Sequence, residues 1–414
     1  MSSEFNALQS QGTWSLVPPP SNQIIIGFKW IYRIKHHANG TIARYKARLV
    51  AQGFKQEYGI DYQETFSPVV KFSTIRMFLL VALHHGWSIL QLDVVSAFLH
   101  GNLTETVYMA QPQGFQDLQH PSHVCRLHKA IYDLKQALRQ WFTTLSTFLL
   151  SRNFKISSAD PSFFIYDHKQ NTIYLLIYFD DILLCENDSH FISSLLQQLQ
   201  QNFHIRNLGE LSRFLGIDFT RTPGGYHLSQ QSYVEQLLST AAMSNCKPLA
   251  TPLPAKWSSS PGLQIPYSQL DFYRQIAGSL QYLTNTRPDL AFALNKLCQF
   301  MHQPLICHFQ LLKHILRYLK GTIYVRLFLP KSDLTLTAYA DSDWAGDVTD
   351  RKSTTGSCIF LGSALLSWSV KKQSTVARSS TEAEYRSLTA PAIVIIWVCR
   401  LCADFSIKLS STPL

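Results

Sequence analysis

Three aspartates carry the clearest chemical signal in this chain. Asp180 and Asp181 sit side by side in IYLLIYFDDILLCEN, between two runs of Ile, Leu, Tyr and Phe. Two ionised carboxylates against so much apolar surface are costly unless a positive charge offsets them. Hard divalent cations such as Mg²⁺ prefer carboxylate oxygens and supply that charge. A third acid, Asp93, ends the apolar run of WSILQLDVVSAFLHG. Each acid also has an ordinary reading: Asp-Asp suits a hairpin turn, and Asp93 suits the N-cap of a short helical pattern over 94–99. Taken together, the two segments predict adjacent strands of one sheet that bring Asp93 beside Asp180. Such a trio could hold two metal ions about 3.5–4 Å apart, an arrangement that activates a hydroxyl and stabilises a leaving oxygen.

A second constellation is basic. Asn39-Gly40 is a two-residue hairpin signal, and counting back from it pairs Lys35 with Arg44, Arg33 with Lys46 and Ile31 with Arg48. The opposite face pairs Ile34 with Tyr45, Tyr32 with Ala47 and Trp30 with Leu49. One face is apolar and the other strongly basic, and no Asp or Glu lies between Glu4 and Glu57 to relieve it. Like charges opposed across a strand pair are destabilising. The pattern therefore points to an anion site for phosphate, with Lys46 and Arg48 foremost and Arg44 next.

The elements that position these residues follow from periodicity and turn signals. Residues 1–20, through the Pro18-Pro19-Pro20 run, read as an extended lead-in. Helices are expected near 72–85, 127–150, 189–203, 232–242, 273–283, 291–301 and 309–319. A stretch rich in Pro and Ser over about 247–266 marks a domain boundary.

With 414 residues, 46% hydrophobic and 15% charged, the chain has the composition of a folded protein of two or three domains. Its formal charge of +10 favours an acidic partner such as nucleic acid. No uninterrupted apolar run reaches membrane-crossing length, and the N-terminus lacks the pattern of a signal peptide. An intracellular protein, cytoplasmic or nuclear, with no membrane partner is expected. The eight cysteines are scattered and include one C-x-x-C, Cys399 and Cys402, with no second pair to complete a zinc set.

An ordered series of segments then carries a resemblance. It runs through RYKARLVAQGF from Arg44, DYQETFSPVVKFSTIR from Asp61, QLDVVSAFLHGNL from Gln91, LKQALRQW from Leu134, YFDDIL from Tyr178 and LGELSRFLGIDF from Leu208. It continues with SLQYLTNTRPDLAFALNKL from Ser279, ADSDWAGDVTDRKSTTG from Ala340 and SSTEAEY from Ser379. In this the chain resembles the copia-type LTR-retrotransposon Pol polyprotein. The resemblance implies an α+β right-hand polymerase fold (fingers, palm and thumb, 21–254), a linker and connection region (255–332) and an incomplete ribonuclease H-like α/β domain (333–414). It implies an RNA-directed DNA polymerase that joins dNTPs to a primer on an RNA or DNA template, with Mg²⁺ as cofactor and Mn²⁺ as a substitute. Asp93 and Asp180 are then the main metal ligands and Asp181 the supporting carboxylate. The basic hairpin looks like the fingers that cover the incoming triphosphate. Phe98 matches the bulky residue that closes off the sugar 2′ position. Gln136 and Arg139 resemble residues that pack under the template base and nucleotide.

Three departures from the family pattern stand out. Asp133 replaces a usual Gly, Leu138 a usual Pro, and Arg206-Asn207 a common Lys-Asp. An Asp for Gly adds a Cβ where backbone freedom is needed, and Leu for Pro removes a conformational lock. Within the ribonuclease H-like part, Asp341 matches the first of four metal-holding carboxylates and Glu382 the second, although Ser379-Ser380-Thr381-Glu382 is also a capping box. The chain stops at Leu414, where a further strand should begin, so no ribonuclease H activity is expected. Capsid, protease and integrase regions of family polyproteins are absent. A second reading is a catalytically silent nucleic-acid-binding remnant of a decayed retrotransposon, which keeps the basic groove without turnover.

Overall fold

Alternating and apolar runs of the sequence pair into five sheets in a computed structural model that describes residues 1–21, 23–36, 41–168, 171–187, 189–254 and 263–409. The expected Asn39-Gly40 turn and much of the Pro/Ser-rich linker lie outside the described residues. Residues 1–70 with 89–209 form one compact unit, and residues 71–88 with 210–414 form another.

The first unit is built on a six-stranded sheet in the order Ile205–Glu210, Ile89–Val94, Asp181–Glu186, Asn171–Tyr178, Phe163–His168, Lys155–Ile156. Its central strands are rich in Leu and Ile, and most of their residues are buried. Leu92, Val94, Leu175, Ile177, Ile182 and Leu184 pack with Trp141, Leu145 and Leu149 of helix Ala137–Ser151 and with Leu195, Leu199 and Phe203 of helix Ser189–Phe203. Each such side chain contributes about 1.5–3 kcal/mol on burial, which fixes the acid-bearing strands firmly. A smaller sheet joins Trp14–Val17, Val124–Lys129, Asn102–Met109 and Ile25–Ile26.

The basic hairpin is the antiparallel pair Phe28–His36 and Ile42–Ala51, and its register is the one counted from the turn. Ile31 faces Arg48, Arg33 faces Lys46, and Lys35 faces Arg44. Its apolar face is covered only at the base. Leu49 is fully buried, whereas Tyr32 and Tyr45 are 64% and 76% exposed.

Three expectations are corrected here. Residues 1–20 are not extended: Ser2–Ser10 is a helix and Trp14–Val17 a strand. Tertiary packing makes the helix, since Phe5 stacks on Phe115 at 4.4 Å and Leu8 is buried. Asp93 is no helix cap but lies inside strand Ile89–Val94, and a 3₁₀ turn, Ala97–His100, follows. The helix expected over 127–150 begins ten residues later, at Ala137, because Val124–Lys129 pairs with Trp14–Val17 as a strand.

In the second unit, helix Phe72–His85 is apolar on every side and buried from Thr74 to Leu83. It stops at Gly86, whose φ of 76° is the left-handed cap conformation glycine favours. Its one buried charge, Arg76, donates to the carbonyls of Leu366 (2.8 Å) and Asn285 (2.6 Å) and lies over the Trp368 ring at 3.9 Å. Burial pulls its pKa down to about 9. Helices Gln231–Thr240, Leu270–Leu283, Ala291–Cys298 and Ile306–Gly321 share a core of Leu and Ile. Strand Gly225–Ser229 pairs with Leu327–Pro330, so a sheet crosses the boundary expected at 254/255. A three-stranded sheet, Leu336–Ser342, Thr354–Leu361 and Ala364–Lys372, carries helix Ser380–Asp404.

That last helix stands apart in composition. By length and composition it is apolar enough to cross a membrane, with a mean hydropathy of 1.5 over its best window. Val398, Leu401 and Cys402 are buried within the unit, whereas Leu388, Ile393 and Ile396 are exposed.

An ion cluster also ties the second unit together. Asp347, 8% exposed, takes Lys296 at 2.9 Å and Lys372 at 2.8 Å. Although burial alone would raise its pKa, the two lysines and the Thr349 N–H hold it well below the usual carboxylate range. A depressed folded pKa adds stability above the unfolded pKa near 4, and that stability is lost as pH falls through the folded value. Asp347→Asn is expected to cost about 1–3 kcal/mol at pH 7. Urea melts of wild type and variant should converge as the pH is lowered below about 4; a gap that stays constant with pH would contradict this assignment.

Candidate active site

The acid-bearing strands are antiparallel neighbours, with Asp181 directly opposite Asp93 and Ile182 opposite Leu92. Tyr178 faces Asp181 across the hairpin, which leaves Phe179 and Asp180 as its two-residue turn. Such turns favour a left-handed first residue, and Phe179 has a φ of 55°. A bulky residue there is strained, so its surroundings must hold it. The Trp141 indole N–H donates to the Phe179 carbonyl at 2.7 Å, and the Val94 N–H donates to the Asp180 carbonyl at 2.8 Å.

Asp93 and Asp180 line a cavity of about 590 Å³. Arg44, Lys46 and Arg48 line it too, from every second position of strand Ile42–Ala51, as does Arg206. Tyr132 adds an aromatic wall, 4.7 Å beneath the Arg48 guanidinium, and Glu4 and Ala7 of the N-terminal helix complete the lining.

The electrostatics are those of crowded acids facing cations. Burial raises the pKa of Asp180 and the neighbouring Asp93 raises it further, while Arg48 and Lys46 oppose the shift. Asp181 is pushed up to about 6 by burial, then by Asp180 and Asp93, against a hydrogen bond from Gln91. Burial also raises Glu4, offset by Lys46 and Arg48. Closely set carboxylates of this kind are a donor set suited to a hard divalent ion, whose charge offsets theirs. Among the described residues no three His, Cys, Asp or Glu side chains converge on one point.

The remaining expected residues are placed less simply. Phe98 does not line the cavity; it packs edge-on against Tyr132, with centroids 5.1 Å apart. Gln136 is fully buried away from it, donating to the Asp61 carbonyl at 2.8 Å and accepting from the Gln56 side chain at 3.0 Å. Arg139 is paired with Glu64. In the second unit, Asp341 lies on strand Leu336–Ser342. Glu382 accepts from the Arg378 N–H at 2.7 Å and pairs with Arg386 at 2.6 Å, so it works at the helix start. The acid that accepts from the strand of Asp341, at the Ser342 N–H, is instead Glu384.

Sequence reasoning assigned no role at this cavity to Glu4, Tyr132 or Trp141, and met Arg206 only as a departure from a common lysine. Glu4 had a usable signal as the lone acid before Glu57. Tyr132 and Trp141 had none beyond their aromatic character.

The departures at 133 and 138 take on concrete meaning. Asp133 has a φ of 71°, the region a glycine would occupy without strain. Gly53 lies against it so closely that a Cβ there would fall 1.8 Å from the Asp133 carbonyl oxygen. Leu138 lies in the first turn of helix Ala137–Ser151, where a proline fits because no helical N–H bond is lost.

Comparison with known proteins gives a concordant picture. Residues 11–255 match the family model of the reverse transcriptase (RNA-dependent DNA polymerase). The whole chain is 48% identical to a retrovirus-related Pol polyprotein from transposon RE2 of Arabidopsis thaliana, covering 28% of that protein. Over 98% of its length it is 37% identical to the Pol polyprotein from transposon TNT 1-94 of Nicotiana tabacum, covering 31% of it. The chain thus spans under a third of these curated relatives. A foamy viral protease–reverse transcriptase in complex with double-stranded DNA aligns at 12% identity over 96% of this chain and 59% of its own, with a TM-score of 0.25, a likeness too slight to argue from.

Asp133→Gly is expected to stabilise the chain by about 0.5–1 kcal/mol through relief of left-handed strain, and Leu138→Pro to be close to neutral. Denaturant midpoints of the two variants measure this. Destabilisation by Asp133→Gly would show that the aspartate side chain contributes more than its backbone costs.

Proposed function

The chain belongs to the reverse transcriptase (RNA-dependent DNA polymerase) family, in the branch of copia-type retrotransposon Pol polyproteins, and from that premise we propose that it extends a primer on an RNA or DNA template using dNTPs. One observation carries the reading: paired carboxylates and a row of cations face a single cavity. The acids suit metal-assisted attack by a hydroxyl, and the cations suit a polyphosphate.

Asp93 and Asp180, supported by Asp181, would hold Mg²⁺, with Mn²⁺ as a substitute. Divalent ions there supply a lowered pKa for the primer 3′-hydroxyl and neutralise charge on the triphosphate. The chain's own residues do the rest. Lys46 and Arg48, then Arg44, bind triphosphate oxygens, and Arg206 adds a further cation on the cavity wall. Asp93 and Asp181, fixed opposite each other, keep negative charge at one point of the sheet. Tyr132 closes one side, and Phe98 behind it is our candidate for excluding a ribose 2′-hydroxyl, supported by its contact with that ring. Gln136 and Arg139 act by bracing the surrounding segments rather than by touching nucleotide, as their internal partners suggest. Glu382 is engaged as a helix-start residue, which supports a reading in which Asp341 and Glu382 cleave no RNA.

A second reading, a silent nucleic-acid-binding remnant, draws support from the strained Asp133. Primer extension on an oligo(dT)-primed RNA template separates the two, with Mg²⁺ and then Mn²⁺. The wild-type chain is expected to extend the primer, and Asp180→Asn to lose on the order of a thousandfold in rate while still binding primer–template. Binding by both should weaken with salt, with a log–log slope of about −0.9 per phosphate contacted on duplex DNA. Tight, salt-sensitive binding with no extension by either would reject the polymerase and leave the remnant.

A further inference from the structure

We propose that Trp141 is a positioning residue that sets the direction of the Asp180 carboxylate by holding the strained turn in front of it. The inference rests on the polymerase reading above and adds a residue to it.

The direction of a side chain follows from the two peptide planes that flank its Cα. For Asp180 both planes are anchored. The carbonyl on its C-terminal side accepts from the Val94 N–H of the neighbouring strand. The carbonyl on its N-terminal side, that of Phe179, accepts from the Trp141 indole N–H. The first anchor is a backbone bond beside the strand pairing; the second is supplied by a side chain alone. It acts at the peptide that needs it most, since Phe179 holds a positive φ that a bulky residue adopts only under constraint.

Trp141 is built for that task. It is 1% exposed, and its ring is wedged by Phe203 (centroids 5.5 Å apart, 81°) and His100 (5.9 Å). An indole so confined cannot rotate to seek another acceptor. Helix Ala137–Ser151 also comes unusually close to the segment after Asp93, because a Cβ on Gly101 would fall 2.9 Å from the Trp141 backbone nitrogen. That approach lets the indole reach the turn. A tryptophan serving only to fill the core would be replaceable by another large apolar ring; one serving as a pin would not.

Trp141→Phe keeps a large ring and deletes the N–H. In the full chain, single-nucleotide incorporation should show kcat reduced about tenfold, the scale of one lost donor to a buried carbonyl. The KM for dNTP and the affinity for primer–template should stay near wild type, because no cavity cation is touched. Hydrogen exchange over 178–182 should speed up about tenfold, with only a small change in melting temperature. Adding Phe179→Gly, which takes the left-handed turn without strain, should restore part of the lost protection and rate. Unchanged kcat and exchange in Trp141→Phe would overturn the proposal. So would parallel losses of kcat, primer binding and melting temperature, which mark a core-filling role, or a double variant no better than Trp141→Phe. If the wild-type chain extends no primer, the polymerase reading fails while the exchange measurement still decides whether Trp141 holds the turn.

Discussion

Placing three carboxylates on neighbouring backbone positions of an apolar sheet is the constraint on which the first unit depends. Antiparallel pairing puts Asp181 opposite Asp93, and the hairpin turn puts Asp180 next to both. Side chains on facing residues of such a pair sit roughly 4.5–5.5 Å apart, close enough for each charge to disfavour the others. Burial first, and the neighbouring carboxylates second, raise the pKa values of Asp180 and Asp181. The rest of the unit can be read as the means of bearing it. The strands are locked by a continuous Leu, Ile and Val core, and relief comes from Lys46 and Arg48 on a hairpin that contributes little to that core.

The arrangement also explains why the basic strand tolerates its own repulsion. Arg33 faces Lys46 directly, which an isolated hairpin would resist. Three cations at alternate positions of one strand share a single cavity with the acids, and opposite charges across that space lower the energy of both sets. Gln136 and Arg139, by contrast, engage partners within the chain, Gln136 with Asp61 and Gln56 and Arg139 with Glu64.

Much of this was legible in the sequence where short-range rules suffice. A two-residue turn fixes hairpin register, and the period of two then decides which residues face each other, so the order of cations along the hairpin followed from Asn39-Gly40 alone. The pairing of the Asp93 and Asp180 strands was suggested by two apolar runs that each carry an acid. What was hidden depends on partners far along the chain. Helix Ser2–Ser10 is held by Phe115 and core contacts that no local signal announces. Leu127, Ile131 and Leu134 fall at helical spacing, yet a strand and a left-handed Asp133 separate them from the true helix start at Ala137. Helix Phe72–His85 was placed to the residue, but its grouping with 210–414 rests on contacts of Arg76 with Asn285 and Leu366. The resemblance marked 136 and 139 as important positions without showing which way they point.

The placement of backbone strain follows the same logic. A left-handed non-glycine residue costs on the order of 1–3 kcal/mol and persists only where its surroundings over-determine it. Asp133 and Phe179 both pay that cost, and they differ in what they receive. At Asp133 the neighbouring Gly53 leaves room for the carbonyl and the side chain is exposed to solvent, so the strain has no visible return and a glycine would sit there more easily. At Phe179 the strained carbonyl meets a buried indole, the next carbonyl meets strand Ile89–Val94, and the residue between them is Asp180. Strain fixed from two sides next to a charged group is a means of aiming that group, because relaxation of the turn would release the carboxylate from its neighbours. Asp180 is therefore held against repulsion by geometry imposed on the residue before it.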